Sequence, residues 1–344
     1  MKLFDTLAEM GHEEVVLCSD PSIGYRGILA VHSTKLGPAL GGTRFWHYAT
    51  DEEAITDALR LSRGMTYKNA VAGLNLGGGK SIIIGDNKIK DREKIFRAHG
   101  RFVESLGGRY ITAEDVGTTT RDMDYVHMET GHVAGLAGKS GDPSPVTAHG
   151  VFRAVQASAN RRWGSDSLEG RTVSVQGCGS VGSHLAKELN RAGAQLIVSD
   201  IDSAKAARVA QATGAKIVEG DAIFSADADI FSPCALGGII NDTTIPKLKV
   251  EIVAGAANNQ LLEDRHGDEL QRRNILYAPD YVANAGGVIN VYGEVAGWDE
   301  QRAHEKADEI YDTILKVFDI AEAKRIPTYE AADRLAEQRL AEAR

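Results

Sequence analysis

The chain has few of several residue types, and each shortage excludes a class of protein. Only three of its 344 residues are cysteines, and they are scattered along the sequence. They form no Cys-x-x-Cys pair and no zinc-ligand spacing, so the sequence predicts neither a disulfide framework nor a structural metal. Such sparse cysteine use is typical of a reducing compartment, and we expect a cytoplasmic protein.

Positive charge and long apolar runs are also scarce. Acidic residues outnumber lysine and arginine by 48 to 39, which gives a formal net charge of −9. This balance, with no basic stripe, argues against a nucleic-acid partner. No apolar run is long enough to span a bilayer, and the acidic, amphipathic first 14 residues are not typical of a signal peptide. We therefore expect no membrane association, and the length favours about two domains.

Glycine is abundant, with 37 residues, and its most informative cluster lies within residues 171–202. A β-branched run meets a G-x-G-x-x-G spacing there, and a helical pattern and a second apolar run follow. The three glycines are Gly177, Gly179 and Gly182, and the second run ends at Asp200. This order predicts a strand, a tight turn, a helix and a second strand with a carboxylate at its tip.

Each part of that pattern suits a bound dinucleotide. The first glycine permits the sharp turn, the second lets the backbone approach the pyrophosphate, and the third lets the helix pack closely on the strand. The helix N-terminus favours phosphate charge. Asp200 can accept hydrogen bonds from ribose hydroxyls and would repel a 2′-phosphate, which favours NAD over NADP. The alternative is an ordinary strand–helix–strand unit without a ligand.

Strand-like and helical patterns alternate along the rest of the chain. The clearest helix of the first 140 residues follows Thr50, which forms a capping-box pattern with Glu53. Residues 138–150 are rich in glycine, proline and serine and are interpreted as a link between domains. Apolar runs at 216–220, 228–233, 251–258 and 275–282 are typical of buried parallel strands. Residues 299–344 form a helical pattern that we expect to return to the first domain.

The first domain contains three further clusters of residues that could take part in catalysis or ligand binding. Lys68 and Lys80 flank three consecutive glycines, Gly77–Gly79, whose density suggests backbone lying against a small ligand. A predicted strand from Ser81 to Ile84 follows Lys80. The second cluster is a strand that ends at Glu114 and Asp115, and the third is the glycine pair Gly41 and Gly42 after Leu40. Lys68 could simply end its helix, and Asp115 could cap one. The Gly77–Lys80 run lacks the full frame of a phosphate-binding loop, so we reject nucleoside triphosphate binding.

Taken together with a nicotinamide site, two lysines and a carboxylate suit an amino-acid substrate. One lysine can hold the α-carboxylate, and the other can handle a proton at the amine-bearing carbon. A 2-hydroxy-acid dehydrogenase would instead need a histidine base with an arginine clamp.

Long motifs resemble the Glu/Leu/Phe/Val amino-acid dehydrogenase family nearly from end to end. They lie at residues 65–80, 109–119, 141–151, 234–242, 254–261 and 277–294. The resemblance implies an α/β fold of two domains separated by a cleft. Residues 1–140, joined by a C-terminal helix at 323–344, would form the substrate and oligomerisation domain, and residues 141–322 a Rossmann-type NAD-binding domain.

The resemblance also implies reversible oxidative deamination of an L-amino acid, with NAD as cofactor. Lys68 would bind the substrate carboxylate, Lys80 would activate water, and Asp115 would shuttle protons. The substrate-binding residues it implies are Leu40, Gly41, Gly42, Met65, Lys68, Ala113, Ala134, Asn259, Val288 and Val291. The cofactor-binding residues it implies are Thr147, Gly177, Cys178, Gly179, Ser180, Val181, Gly182, Asp200, Ile201, Cys234, Ala235, Ala256, Asn258, Asn259 and Asn284. A homo-oligomer, from dimer to octamer, is expected.

The implied side-chain pocket contains no charged residue, which excludes glutamate because its γ-carboxylate would be buried without a partner. Leucine, isoleucine and valine are favoured. Ala134 stands where the branched-chain enzymes commonly have Thr, so an aromatic substrate, phenylalanine or tryptophan, is the alternative. A catalytically inactive NAD-binding regulatory protein is the alternative from another class, and the presence of Lys68, Lys80 and Asp115 argues against it.

Overall fold

The computed structural model describes residues 2–139 and 141–343, which form two compact units. Unit 1 spans Met1–Gly141 with the segments Glu294–Gly297 and Ala336–Arg344, and unit 2 spans Asp142–Gly293 and Trp298–Leu335. The predicted domain boundary falls at Ser140, which lies outside the described residues. No helix in the described part of the chain is long and apolar enough to cross a membrane.

Unit 1 is built on a mixed sheet. Its strands are β1 (Glu14–Asp20), β2 (Tyr25–Ser33), β3 (Ala39–Trp46), β4 (Gly77–Ile84) and β5 (Tyr110–Glu114), and its helices are α1 (Leu3–Met10), α2 (Asp51–Val71), α3 (Glu93–Glu104) and α4 (Thr120–His127). The strand order is β1-β2-β4-β3-β5. Strand β2 runs antiparallel to β1 and β4, whereas β3 runs parallel to β4 and β5. The carboxyl ends of β3, β4 and β5 therefore meet at one edge.

Helix α2 covers one face of this sheet. The Thr50 side chain caps its start by accepting a hydrogen bond from the Glu53 amide, as the capping pattern predicts. Ala58 and Leu59 of α2 pack on Ile82 of β4 within one apolar cluster. The opposite face packs in a second cluster that contains aromatic residues of α3 and β5.

Unit 2 is built on a parallel sheet. Its strands are β6 (Thr172–Gln176), β7 (Gln195–Ser199), β8 (Lys216–Ile217), β9 (Ile230–Pro233), β10 (Ile252–Val253) and β11 (Leu276–Tyr277). Its order, β8-β7-β6-β9-β10-β11, is the 3-2-1-4-5-6 order of the doubly wound dinucleotide-binding fold. The following helices are α5 (Ser144–Trp163), α6 (Ser180–Arg191), α7 (Ser203–Thr213), α8 (Arg265–Arg272), α9 (Asp280–Ala283), α10 (Gly286–Ala296), α11 (Glu300–Asp308), α12 (Ile310–Lys324) and α13 (Thr328–Glu342). The last residues of α10 and α13 belong to unit 1.

Several local expectations were wrong. The buried strand predicted at 216–220 is only the two-residue β8, and both residues are exposed because β8 lies at the edge of the sheet. Strand β4 begins at Gly77 rather than Ser81, because β2 and β3 pair with the glycine run on both sides. Residues 144–150, predicted as linker, form the first turns of α5, since proline is tolerated at a helix start. Residues 280–282, predicted as strand, begin α9 with Pro279 as its N-cap residue, since a proline has no amide with which to extend a ladder and is tolerated at a helix start.

Candidate active site

The face of the unit 1 sheet that α2 covers carries the predicted catalytic groups. Leu40 of β3 pairs with Gly78 of β4, and Gly42 pairs with Ala113 of β5. Because side chains alternate along a strand, Leu40, Lys80 and Ala113 share this face. Asp115 follows β5 at the carboxyl-terminal edge, on the same side.

Lys80 and Asp115 form a buried ion pair. The Lys80 Nζ lies 2.8 Å from the Asp115 Oδ1, and the two side chains are 5% and 23% exposed. The other carboxylate oxygen of Asp115 accepts a hydrogen bond from the Arg44 Nε at 2.9 Å. Asp115 therefore lies between two cations, and one of them was not among the predicted site residues.

Burial and these charges move the pKa values of the pair in definite directions. Burial lowers the pKa of Lys80 from its usual value, and although the Asp115 charge opposes this, the charge on Arg44 lowers it further. Burial by itself would raise the pKa of Asp115. The charges of Lys80 and Arg44 and their hydrogen bonds together outweigh that effect and hold the pKa of Asp115 below its usual range. The carboxylate is thus kept ionised beside a lysine whose pKa is lowered.

The glycines around Lys80 are required by packing within the protein. A Cβ on Gly78 would lie 2.1 Å from the Thr66 amide nitrogen of α2, and one on Gly79 would lie 2.5 Å from the Tyr110 ring. Packing within the protein therefore accounts for this run, and its interpretation as backbone lying against a ligand stays a prediction. Gly41 and Gly42 are equally constrained, since their Cβ atoms would lie 1.8 Å from the Gly79 carbonyl oxygen and 2.3 Å from that of Glu114.

A fully buried polar network lies on the opposite face of the same strands. The Tyr110 hydroxyl donates to the Gly41 carbonyl at 2.6 Å and contacts Ser81 at 3.0 Å. Thr43 contacts Ser81 and the His99 Nε2 at 2.7 and 2.9 Å. Burial lowers the pKa of His99 to about 3, so its ring is neutral. These polar residues alternate with the catalytic positions along the strands, which is the one sequence signal that could have revealed them.

The predicted side-chain pocket has members in both units. In unit 1, Leu40, Ala113 and Ala134 are buried, and the Ala134 amide donates to the Thr112 carbonyl at 2.8 Å beside β5. Met65 and Lys68 are half-buried one helical turn apart on α2, with Lys68 in its last turn. In unit 2, Val288 and Val291 are likewise one turn apart on α10 and are buried and half-buried.

The three glycines of the turn in unit 2 have different structural roles. Gly177 has a φ of 99°, and a Cβ there would lie 2.8 Å from the Cys234 carbonyl carbon and 2.9 Å from the Ala235 nitrogen. A Cβ on Gly182 would lie 2.0 Å from the Gly177 oxygen, so this position joins α6 closely to β6. A Cβ on Gly179 would meet nothing within 4 Å, so its backbone faces open space. This arrangement fits a dinucleotide pyrophosphate.

Backbone amides near the glycine turn hold the carboxylate of Asp200. Asp200 follows β7, and its two carboxylate oxygens accept hydrogen bonds from the amides of Cys178 at 2.7 Å and Asp202 at 2.8 Å. Ile201 beside it is fully exposed. Ser180 and Val181 form the first turn of α6. The carboxylate is thus fixed in orientation, and each oxygen keeps a lone pair for a ribose hydroxyl.

The predicted asparagines lie together beyond β10. The Asn284 side chain donates to the Asn258 Oδ1 at 2.8 Å and to the Ala256 carbonyl at 3.0 Å. Asn259 adopts a left-handed φ of 50°. Thr147 in α5 donates to the Pro143 carbonyl at 2.8 Å, and its Oγ1 lies 3.1 Å from the position of a Cβ on Gly287. The structure therefore brings Thr147 near the start of α10, which follows Asn284.

Comparison with known proteins identifies the family. The model of the Glu/Leu/Phe/Val dehydrogenase dimerisation domain matches residues 12–132, and that of the Glutamate/Leucine/Phenylalanine/Valine dehydrogenase domain matches residues 138–204 and 198–344. The chain belongs to this dehydrogenase family. The predicted family and its fold of two α/β domains are confirmed, and the protein is an amino-acid dehydrogenase of a pyridine-nucleotide-dependent type.

Members of the family are similar along almost the whole chain. Leucine dehydrogenases from Thermoactinomyces intermedius and Geobacillus stearothermophilus are 57% and 56% identical, each over 99% of this chain and 94% of their own. The crystal structure of L-tryptophan dehydrogenase from Nostoc punctiforme matches with a TM-score of 0.91 at 48% identity, over 99% of both chains.

Proposed function

We propose that this dehydrogenase catalyses the NAD-dependent, reversible oxidative deamination of a branched-chain aliphatic L-amino acid, with leucine, isoleucine and valine favoured. The observation that carries the proposal is the buried Lys80–Asp115 pair at 2.8 Å on the sheet face that also holds Leu40 and Ala113. The leucine dehydrogenases at 57% and 56% identity support the same substrate class.

The chain supplies a base and a proton carrier for the two halves of the reaction. In the first half, Asp115 takes a proton from the substrate ammonium group, and hydride leaves the α-carbon as an iminium ion forms on the substrate. In the second half, water attacks that carbon while neutral Lys80 takes one of its protons. Asp115 then returns its proton to the amine, and ammonia leaves as the carbonyl forms and the hydroxyl proton passes to Asp115. Lys68 holds the substrate carboxylate as a cation. The products are a 2-oxo acid, ammonia and reduced cofactor.

NAD supplies the hydride acceptor when it is bound. The residues that would hold it are the three glycines of the turn, with Cys178, Ser180, Val181, Asp200, Ile201, Cys234, Ala235, Ala256, Asn258, Asn259, Thr147 and Asn284 around them. The open space at Gly179 and the fixed carboxylate of Asp200 support NAD specifically, since a 2′-phosphate beside that carboxylate would be repelled.

An NADH-formation assay across a panel of L-amino acids tests the proposal. Leucine, isoleucine and valine should give the highest kcat/KM, and overlapping activity is expected because one methylene is worth only about 1–3 kcal/mol. Glutamate and 2-hydroxy acids serve as controls and should give no turnover. Preference for glutamate, or no amino-acid turnover by folded protein that binds NAD, would contradict the assignment.

A second candidate substrate class is aromatic. Ala134 is fully buried beside β5 and is smaller than a threonine, which would leave room for a ring. The tryptophan dehydrogenase similar to this chain supports that alternative. Tryptophan and phenylalanine therefore belong in the same assay, and a kcat/KM above that of leucine would replace the first assignment.

We also propose a homo-oligomer assembled through unit 1. The family model that matches residues 12–132 is described as a dimerisation domain, and β1 is an edge strand of the described sheet with Leu17 exposed. Light scattering on the purified protein measures the assembly directly, and a monomer across the working concentration range would contradict it. The three free cysteines suit a cytoplasmic location.

A further inference from the structure

A chain of alternating charges continues beyond Asp115, away from Lys80. Arg44 donates from Nε to Asp115 at 2.9 Å, and one of its terminal nitrogens lies 2.8 Å from the Asp57 Oδ2. The Tyr48 hydroxyl donates to the same Asp57 oxygen at 2.6 Å. The side chains of Arg44 and Asp57 are 23% and 15% exposed, so this arrangement is largely removed from solvent. Strand β3, the residues after it and α2 each supply one member.

The geometry gives Arg44 a single fixed orientation. A guanidinium is planar and presents its donors as a rigid fork, and here two arms of the fork are used by two different carboxylates. Asp57 is fixed in turn by Tyr48, so the carboxylate of Asp115 has a preset position relative to α2. A groove of about 920 Å³ is lined by Arg44, Tyr48 and Asp57 themselves, with Trp46, Arg60 and Val116 among others.

We propose that Arg44, held by Asp57 and Tyr48, is a positioning residue that fixes the Asp115 carboxylate against Lys80. This inference rests on the proposed dehydrogenase reaction and adds a role that neither the sequence motifs nor the relatives' names assign. Arg44 acts through Asp115, while Asp115 and Lys80 meet the substrate and water. Its charge also favours the ionised carboxylate and the neutral lysine, which are the forms that oxidative deamination needs.

The competing role for Arg44 is direct binding of the substrate carboxylate. Its Nε and one terminal nitrogen are already engaged by Asp115 and Asp57, which argues for positioning. The two roles differ in kinetics, because a substrate clamp contributes mainly to KM whereas a positioning residue contributes mainly to kcat. They also differ in their dependence on Asp57. Asp57 contacts a terminal nitrogen of Arg44, whereas Asp115 contacts its Nε.

Arg44→Gln tests the proposal in the holoenzyme, with leucine as substrate. We expect kcat to fall about 10- to 100-fold, the usual cost of a misplaced catalytic group, with KM changed less than threefold. The acid limb of the kcat/KM profile should move to higher pH, because removal of the Arg44 charge raises the pKa of both Lys80 and Asp115. The charged groups that face Lys80 and Asp115 from the neighbouring elements are Arg44 and Asp57, and Tyr48 contacts Asp57.

Three further variants separate charge, geometry and folding. Arg44→Lys retains the charge but cannot span both carboxylates, so the pH limb should return while kcat stays low. Asp57→Asn should reduce kcat several-fold, and combining it with Arg44→Gln should cost no more than Arg44→Gln alone, because Asp57 acts through Arg44. The matched control is Arg60→Gln, whose 70% exposed side chain reaches Asp57 only at 3.5 Å and should leave kinetics unchanged.

The outcomes are distinct from those that test the function itself. No amino-acid turnover by the wild-type enzyme would refute the dehydrogenase assignment. With an active wild type, an unchanged pH profile and kcat in Arg44→Gln would overturn the positioning role, as would a raised KM with unchanged kcat. Additive losses in the double variant would show that Asp57 does not act through Arg44. If Arg44→Gln does not fold, Arg44→Lys and Asp57→Asn decide the question by the same two readouts.

Discussion

At the residue scale, Lys80 has the most specific proposed role, that of the general base that takes a proton from water. It is 4% exposed and contacts Asp115, whereas the dinucleotide turn lies in unit 2. Lys80→Ala should therefore lower kcat by at least about 10²- to 10⁴-fold, the usual contribution of general base catalysis, and leave NAD binding nearly intact. Steady-state rates and NAD titration calorimetry measure the two effects. The control is the exposed Lys94→Ala, and substantial residual turnover in folded Lys80→Ala would refute the role.

Asp200 is predicted to set the choice between NAD and NADP. Replacing it with Ser removes the carboxylate that would face a 2′-phosphate, so NAD should bind more weakly and NADP should gain relative to it. The ratio of the two kcat/KM values measures the change. Asp202→Asn is the matched control, since Asp202 caps α7 and follows two residues later. An unchanged ratio in Asp200→Ser would mean that another residue reads the ribose.

Ala134 tests the breadth of the pocket. If its side chain lines the substrate site, Ala134→Thr fills space that an aromatic ring would use. Phenylalanine should then lose about 1–3 kcal/mol of transition-state binding, the usual cost of overpacking, and leucine should lose less. The ratio of kcat/KM for the two substrates measures this, and the melting temperature Tm checks that the buried position still folds. Equal losses would show that residue 134 does not contact the substrate side chain.

At the element scale, β4 shows what its glycines do. A Cβ on Gly79 would press on the buried Tyr110 ring at 2.5 Å, so Gly79→Ala should destabilise the protein by about 1–3 kcal/mol. Gly64 in α2 has no neighbour within 4 Å of an added Cβ, so Gly64→Ala should be neutral or should stabilise by about 0.5–1 kcal/mol. Chemical denaturation of the two variants gives both values. Equal effects would mean that packing against Tyr110 does not constrain the strand.

Three helices of unit 2 are joined through one histidine. His149 of α5 contacts Glu188 of α6 and Asp308 of α11, each at 3.0 Å. The hydrogen bond to Glu188 raises the pKa of His149, burial opposes this, and Asp308 adds to it. A raised pKa means that the stabilisation is fully present below the unfolded pKa of about 6.5 and is lost as the pH rises through the folded value.

The pH dependence of stability follows from that sign. His149→Gln should lower the free energy of unfolding by about 1–2 kcal/mol at pH 6, and the difference from the wild type should shrink by pH 8.5. The control is the same substitution at the exposed His47, His47→Gln. Urea denaturation at both pH values measures the difference, and a constant difference would contradict a charged His149.

At the scale of the whole molecule, the sequence predicts what depends on local pattern. The three glycines Gly177, Gly179 and Gly182 each meet a different steric requirement of the same turn. Because their spacing is local in sequence, the dinucleotide-binding fold of unit 2 could be predicted from it. The contact between Arg44 and Asp57 could not, because it depends on how α2 lies across β3. The glycine run shows the same limit, since Gly78 is required by its contact with Thr66 of α2, and neither the helix pattern nor the strand pattern predicts how the two elements pack.

Unit 1 contains residues from both ends of the chain, so its last contacts can form only late in translation. Arg339 in α13 donates to the Ala70 carbonyl at 2.8 Å and to that of Asn69 at 3.2 Å, at the end of α2. These partners are separated by 269 residues. At about 5–20 residues per second, the ribosome delivers Arg339 on the order of 10 to 50 s after α2. The last carbonyls of α2, the helix that carries Lys68, therefore gain Arg339 as a hydrogen-bond donor only after almost the whole polypeptide has been synthesised.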